Sequence, residues 1–330
     1  MLRGALVQYN DKISIVVPAY CEPSKVKRFM DAILNIDYPN NLVELILIDD
    51  CSPISLAEIA GSYAEAFKDK IKFLFHRNQI NSGRAISRNV GISLATNSLI
   101  MFIDIDNLLE PNALKKIVSF FHDKSYTAAR INIRIDPARL NTSNYLRYFD
   151  SRYLGARNMP EGIISTRFFA SDGIILTRDI IDTIGGFDET FYHYGCEDEE
   201  LGIRVSKAKY DFYFLPDARA EDSDTPTLRR ASERMVVYAS KSFPVLKEKH
   251  PECVKDSLFS SYEVMLEDTK LLSKLLIKAI HILPITTTRK ILLCLCDKLD
   301  SKTIKIPDFV YKVVLALSYI EGGRLRQLRM

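Results

Sequence analysis

"ISIVVPAYCEPSKVKRFMDAILNIDYPNNLVELILIDD", residues 13–50, holds two nearly all-apolar, β-branched runs, 13–17 and 43–48. Between them lies a stretch, 24–35, whose apolar residues recur at helical spacing. A strand without polar alternation is buried on both faces, and two such strands joined through a helix pair in parallel. The pattern then repeats as helix 54–67, strand 71–75, helix 84–95, strand 98–103 and helix 112–122. This rhythm predicts an α/β fold, a Rossmann-like, mostly parallel sheet flanked by helices on both faces.

The second half is less regular. A helix is expected over 142–152, then a strand, a short helix and a Gly-Gly turn within 168–191. An acidic helix over 197–209 and a strand over 210–222 follow, and the pattern is helical beyond residue 224. A chain of 330 residues has room for one large domain with an appendage or for two modest ones. With 47% hydrophobic and 26% charged residues it is neither disordered nor fibrous in composition. The six cysteines form no CxxC pair, and Cys294 and Cys296 lack the partners of a zinc site. They read as reduced thiols, so a cytoplasmic location is expected. The five histidines likewise show no metal-binding spacing. The first residues contain no signal-peptide core, and no apolar run approaches the roughly 20 residues of a membrane span.

The polar residues after each strand carry the chemistry. Pro18-Ala19-Tyr20 follows the first strand, Asp49-Asp50 the second and Asp104-Ile105-Asp106 the fourth. In open α/β sheets, ligands bind outside the carboxyl ends of the strands. The phosphate-binding fingerprints GxGxxG and GxxxxGK[ST] are absent, so any nucleotide is held differently. Asp104 and Asp106, two apart, point the same way by alternation and repel unless a cation or donors compensate. Hard carboxylate oxygens suit Mg²⁺ or Mn²⁺; a turn or helix cap is the plainer reading. "FYHYGCEDEEL" (191–201) crowds Glu197, Asp198, Glu199 and Glu200 behind Gly195. A helix starting at Glu197 would put the first two carboxylates at its positive end. Glu200 and Arg204, at i and i+4, read as an ordinary surface pair.

Taken in order, "ISIVVPAYCE", "LILIDDCSP", "NSGRAISRNVGI" and "FIDIDNLLEP" resemble the nucleotide-sugar half of family 2 glycosyltransferases with the GT-A fold. "GGFDETFYHYGCEDEELGIRVSKAKYDFYFLPDARAED" resembles their acceptor half, in the branch with an aromatic-Gly-x-Glu-Asp motif. The resemblance spans about residues 13–222 and implies an inverting hexosyltransferase moving a sugar from a UDP-sugar to a saccharide hydroxyl. It implies a catalytic domain over 1–225, with its nucleotide-sugar half at about 13–110 and its acceptor half at about 111–225. A basic helical region, 226–330, would follow. Pro18, Ala19, Tyr20, Glu22, Asp50, Arg88, Asp104 and Asp106 are implied donor-binding residues. Mn²⁺ or Mg²⁺ is implied at Asp106 and Asp104. Asp198 matches the general base, and Glu197 its neighbour that steers acceptor or sugar. Tyr194, Gly195 and Asp172 are implied acceptor contacts. The branch leans toward galactose or N-acetylgalactosamine donors.

The chain departs from that pattern at Cys21 (usually Asn), Tyr194 (usually Trp) and Cys196 (usually Gly). Where the branch offers a third metal ligand from His, it has Asp222. Asp222 is either that third ligand or part of a solvated acidic loop. Residues 270–330 hold 12 Lys/Arg against 4 Asp/Glu, a balance of +8 in a chain of net charge +3. "KLLSKLLIKAIHILP" (270–284) and "RKILLCLCDKL" (289–299) read as basic amphipathic helices on an anionic membrane surface, on the inner face of the cell membrane. Alternatively they pack as a bundle on the catalytic domain. The first location would suit a lipid-linked acceptor in bacterial surface polysaccharide synthesis. Basic residues interleaved with aliphatic ones exclude a nucleic-acid partner. A glycosidase with paired carboxylates, a nucleotidyltransferase and a non-catalytic carbohydrate or membrane-surface scaffold are the competing classes.

Overall fold

In a computed structural model that describes residues 11–123, 126–151, 159–257, 259–267, 271, 283–301 and 304–327, the apolar runs are strands and the amphipathic ones helices. β1 (Ile13–Ala19), α1 (Pro23–Leu34), β2 (Val43–Asp49), α2 (Ala57–Phe67), β3 (Lys72–Arg77), α3 (Arg84–Leu94) and β4 (Leu99–Ile103) alternate as the periodicity predicts. The middle of the chain forms β5 (Asn107–Leu109), α4 (Ala113–Asp123), β6 (Ala128–Arg134), the single turn α5 (Pro137–Leu140) and α6 (Asn144–Ser151). Next come β7 (Gly162–Ile163), β8 (Gly173–Thr177), α7 (Arg178–Ile184), α8 (Glu197–Lys207) and β9 (Phe212–Asp222). The remainder is helical: α9 (Leu228–Val237), α10 (Phe243–Lys249), α11 (Cys253–Asp256), α12 (Ser260–Glu267), α13 (Ile285–Leu299) and α14 (Asp308–Gln327).

The chain divides into two compact units. The first comprises the described residues of Met1–Asp136, Tyr153–Glu189 and Leu201–Asp224; the second those of Pro137–Arg152, Thr190–Glu200 and Thr225–Met330. The nine strands found among the described residues belong to the first unit, in one sheet of order β3-β2-β1-β4-β8-β6-β9-β5, with β7 added on β9. β1 pairs in parallel with β2 and β4, β2 with β3 and β6 with β9, while β8 runs against both β4 and β6. β1, β2, β3, β4, β6 and β9 therefore point one way, so the sheet is mostly parallel. Successive side chains alternate between its faces. Ile13, Ile15, Val17, Leu45, Leu47 and Met101 pack with α1, α2 and α4; Val16, Ile46, Ile48, Ile100 and Phe102 pack with α3, α7 and α8.

The strand order fixes where a ligand goes. From β1 the chain adds β2 and β3 on one side, then returns to place β4 on the other. The order thus reverses between β1 and β4, and in sheets of this kind ligands bind past the carboxyl ends at that reversal. α3 packs close against the middle of β1: a Cβ on Gly91 would lie 2.1 Å from Val16 Cγ1. Only glycine lets the helix sit this near the strand.

The second unit has a separate core, with Tyr145 and Tyr148 of α6, Leu228 of α9, Leu293 and Cys296 of α13, and Tyr311 and Val314 of α14. A buried ionic group lies beside it: Glu263 of α12 receives Lys247, Arg326 and the Tyr319 hydroxyl. Residues 289–299 fall within α13, whose Arg289, Leu293 and Cys296 are buried while Ile291 and Leu295 are exposed. Of the amphipathic segment 270–284, only residues 271, 283 and 284 are among those described.

Candidate active site

The first unit gathers the acidic residues predicted from the strand ends. Asp104 and Asp106 follow β4 directly, and the chain turns at once into β5. β5 runs against the end of β9, with Asn107 opposite Asp222. Ser223 fastens the join, donating its backbone N–H (2.8 Å) and its hydroxyl (2.7 Å) to the Asp106 carbonyl. This pairing brings the DxD segment beside the "AED" segment, which is more than a hundred residues away in sequence. Asp222 is buried, and its carboxylate accepts the Asp224 N–H at 3.1 Å. The solvated-loop reading of Asp222 is therefore wrong: strand pairing has carried it inside.

Both DxD carboxylates are neutralised by the chain itself. Arg88 of α3, only 1% exposed, places its guanidinium 3.1 Å from Asp104 Oδ1 and 5.3 Å from the Phe187 ring centre. Lys25, in the first turn of α1, sets Nζ 2.9 Å from Asp106 Oδ1 and 3.0 Å from Oδ2, with Asp224 at 3.7 Å. Burial disfavours the Lys25 ammonium, but its bond to Asp106 and the charges of Asp106 and Asp224 outweigh burial and raise its pKa. The repulsion expected between the two aspartates is thus relieved by donors. Among the described residues, no three His, Cys, Asp or Glu side chains form a ready cation cluster. The donor chemistry still fits a hard divalent ion, because carboxylate oxygens are what Mg²⁺ and Mn²⁺ take.

The implied nucleotide residues occupy the same strand ends. Ala19 is buried, Pro18 half-buried, and Tyr20 and Glu22 are exposed, with Tyr20 at 56%. Asp50 is buried, donates its N–H to the Ala19 carbonyl at 2.8 Å, and accepts from Asn78 Nδ2 (2.8 Å), Ser82 N (2.9 Å) and Gly83 N (2.9 Å). In this structure its carboxylate anchors the loop that opens α3. Asp172 is half-buried, held by Arg130 Nη2 at 2.9 Å, and its carbonyl accepts Asn107 Nδ2 at 2.8 Å.

The acidic motif behind Gly195 lies in the second unit up to Glu200, and α8 continues from there into the first. α8 begins at Glu197, as its sequence predicts, after Gly195 (φ 91°) and Cys196 (φ 74°). Both residues lie in the left-handed region, which glycine enters freely; Cys196 adopts it although it keeps a Cβ. Burial and the nearby Glu199 push the Cys196 thiol well above its usual pKa, so it is a poor nucleophile. A Cβ on Gly195 would meet Tyr238 Cδ2 at 2.9 Å.

Four carboxylates in succession receive four environments. Glu197 is buried and Asp198 half-buried. Glu199 accepts the Tyr238 hydroxyl at 3.1 Å. Glu200 is 3% exposed with His250 Nε2 at 3.2 Å from its Oε1, so it does not lie on the surface as expected. Arg204 donates to the carbonyls of Ile184, Gly185 and Gly186. Tyr194 is partly exposed, with the Arg234 guanidinium 4.6 Å from its ring centre and its carbonyl accepting the Ser242 hydroxyl at 2.8 Å. Tyr238 and Ser242 bracket one π-helical segment, a feature that often marks functional sites. Sequence reading missed Lys25, Tyr238 and His250, since no spacing links them to the acids they touch.

Comparison with known proteins follows the same residues. The family profile described as glycosyl transferase family 2 matches residues 14–185, more than half of the chain, and that described as the N-terminal domain of galactosyltransferase matches 165–226. The probable glycosyltransferase YdaM of Bacillus subtilis is 24% identical over 66% of this chain and 51% of its own length. The minor teichoic acid biosynthesis protein GgaB of the same organism is 23% identical over 95% of this chain and 36% of its own. The chain thus spans about a third to a half of the length of these curated relatives. Among solved structures, the mannosyltransferase PcManGT of Pyrobaculum calidifontis, in complex with GDP-Man and Mn²⁺, has a TM-score of 0.58 at 18% identity, covering 97% of this chain and 88% of that one. S. aureus TarS 1–349 in complex with UDP has a TM-score of 0.54 at 16% identity, covering 97% and 92%. At these identities the likeness shows the fold, which is GT-A.

Proposed function

The chain belongs to glycosyl transferase family 2, and on that premise we propose that it is an inverting, metal-dependent hexosyltransferase using a UDP-sugar. The acceptor is a hydroxyl of a saccharide, in bacterial surface polymer synthesis. One observation carries this reading above the others: Asp104 and Asp106 stand past β4, where the strand order reverses beside Pro18-Ala19-Tyr20 at the end of β1. Relatives agree in kind, since GgaB is a teichoic acid protein and TarS has been solved with UDP and UDP-GlcNAc.

The acceptor oxygen attacks the anomeric carbon as the bond from that carbon to the diphosphate oxygen breaks. The hydroxyl proton passes to Asp198, and the bonding pair leaves with UDP. Bound Mn²⁺ or Mg²⁺ would neutralise charge growing on the diphosphate, with Asp106, Asp104 and Asp222 as its protein ligands. Arg88 holds Asp104 in place. Pro18, Ala19, Tyr20, Glu22 and Asp50 receive the nucleotide, while Glu197, Tyr194, Gly195 and Asp172 orient acceptor and sugar. A panel of UDP-sugars assayed for UDP release, with Mn²⁺ or EDTA and with candidate saccharide acceptors, tests the reading. Metal-dependent release from one donor is expected. Hydrolysis of simple glycosides without nucleotide or metal would favour a glycosidase instead.

Peripheral attachment to an anionic membrane, on the cytoplasmic face, belongs to the same proposal. No helix among the described residues is long and apolar enough to cross a membrane. Support comes from apolar side chains left outside on a basic tail: Ile291 (55% exposed), Leu295 (50%) and Phe309 (64%). Such residues enter the interfacial region while lysines meet anionic headgroups. Deleting the tail would remove Leu293 and Tyr311 from the core, so surface substitution is the cleaner test. Leu295→Glu with Phe309→Glu should cut binding to phosphatidylglycerol vesicles about tenfold or more in sedimentation, without lowering Tm; unchanged binding would dismiss the attachment.

A further inference from the structure

We propose that Lys25 is a built-in counter-ion of the candidate metal site, and that a divalent cation binds Asp106 only as the Lys25 ammonium leaves it. This rests on the metal-dependent reading above. Both oxygens of Asp106 lie within 3.0 Å of Lys25 Nζ, at 2.9 and 3.0 Å, so one ammonium faces the whole carboxylate. A divalent ion on those oxygens would sit against a positive charge at contact distance, and the two cannot share the site.

Lys25 is also misplaced for its own helix. It stands in the first turn of α1, a turn without an acidic residue, where the helix dipole disfavours a cation. What holds it there is Asp106, from the segment after β4, together with Asp224, from the segment after β9. The lysine joins the first turn of α1 to the two acidic segments that β5 and β9 bring together. With Arg88 on Asp104, each carboxylate of the DxD pair has a cation of the chain beside it. The consequence is a site that binds metal weakly alone and more tightly when a diphosphate adds negative charge.

Isothermal titration of Mn²⁺ into wild-type protein and Lys25→Met, each with and without UDP, tests this. Methionine keeps the aliphatic stem and removes the charge. Without UDP, Lys25→Met should bind Mn²⁺ about tenfold more tightly than wild type, since a partly buried ion pair no longer has to be broken. Its Tm should fall without metal, because Asp106 and Asp224 lose their shared cation, and should rise more on adding Mn²⁺ than that of wild type. Lys25→Gln should show the same pattern, should the methionine variant fold poorly. Equal or weaker Mn²⁺ binding by a folded variant, with wild type binding saturably, would overturn the counter-ion role and leave the metal reading standing. If neither protein binds Mn²⁺ even with UDP, the metal reading falls and the inference falls with it. UDP binding in EDTA that Lys25→Met then abolishes would make the lysine a replacement for the metal.

Discussion

Asp198→Asn lowers kcat by about a thousandfold and leaves the Kd for UDP with Mn²⁺ unchanged. Asparagine matches the size of aspartate and retains an acceptor oxygen, so α8 still starts at Glu197 behind the two left-handed residues. It cannot take up a proton. General-base contributions are of order 10²–10⁴, which sets the expected size of the loss. Donor binding is expected to survive because Asp198 belongs to the second compact unit, whereas the nucleotide and metal residues belong to the first. The effect separates catalysis from binding: a raised KM with normal kcat would point to an acceptor contact, and full activity would remove Asp198 from the chemistry. Glu199→Gln is the matched control. Its carboxylate is engaged by the Tyr238 hydroxyl, so the change acts through the position of the motif and should cost much less.

Asp106→Ala abolishes Mn²⁺-dependent UDP binding, by at least about a hundredfold in Kd, while the protein stays folded. A direct carboxylate ligand is the largest single contribution a hard-metal site receives from the chain, and loss of mere supporting partners already costs 10–100-fold. The fold has reason to survive, since the bonds joining Asp106 to Ser223 use its backbone carbonyl, which alanine keeps. Lys25 retains Asp224 as a partner. Calorimetry of UDP with Mn²⁺ reads the result directly. Retained affinity would exclude metal coordination at this aspartate.

How much of this was legible in the chain depends on where each signal sits. Strands β1, β2 and β4 were readable because each is a nearly continuous apolar run, and burial on both faces is written into those residues. The start of α8 was equally plain, from glycine followed by acids. β6, inside the sheet, was not: "AARINIR" carries Arg130 and Asn132 at positions that look unfit for burial. Arg130 is tolerated because Asp172 and the carbonyls of Phe168 and Ala170 receive it, partners some forty residues distant. The burial of Glu200 was hidden for the same reason: its partner His250 lies fifty residues away along the chain. Lys25 reads in sequence as one more exposed lysine of an amphipathic helix. Its meaning appears only when β5 pairs with β9 and brings Asp106 and Asp224 to it. Local periodicity announces elements, but compensation of buried charge is settled by residues far apart along the chain.

The anomeric configuration of the product, read by NMR once a donor is found, bears most directly on a single displacement with Asp198 as base. Direct attack opposite a metal-held diphosphate yields a glycoside of configuration opposite to that of the donor sugar. A product that keeps the donor's configuration would require a different course at that carbon and contradict the role given to Asp198.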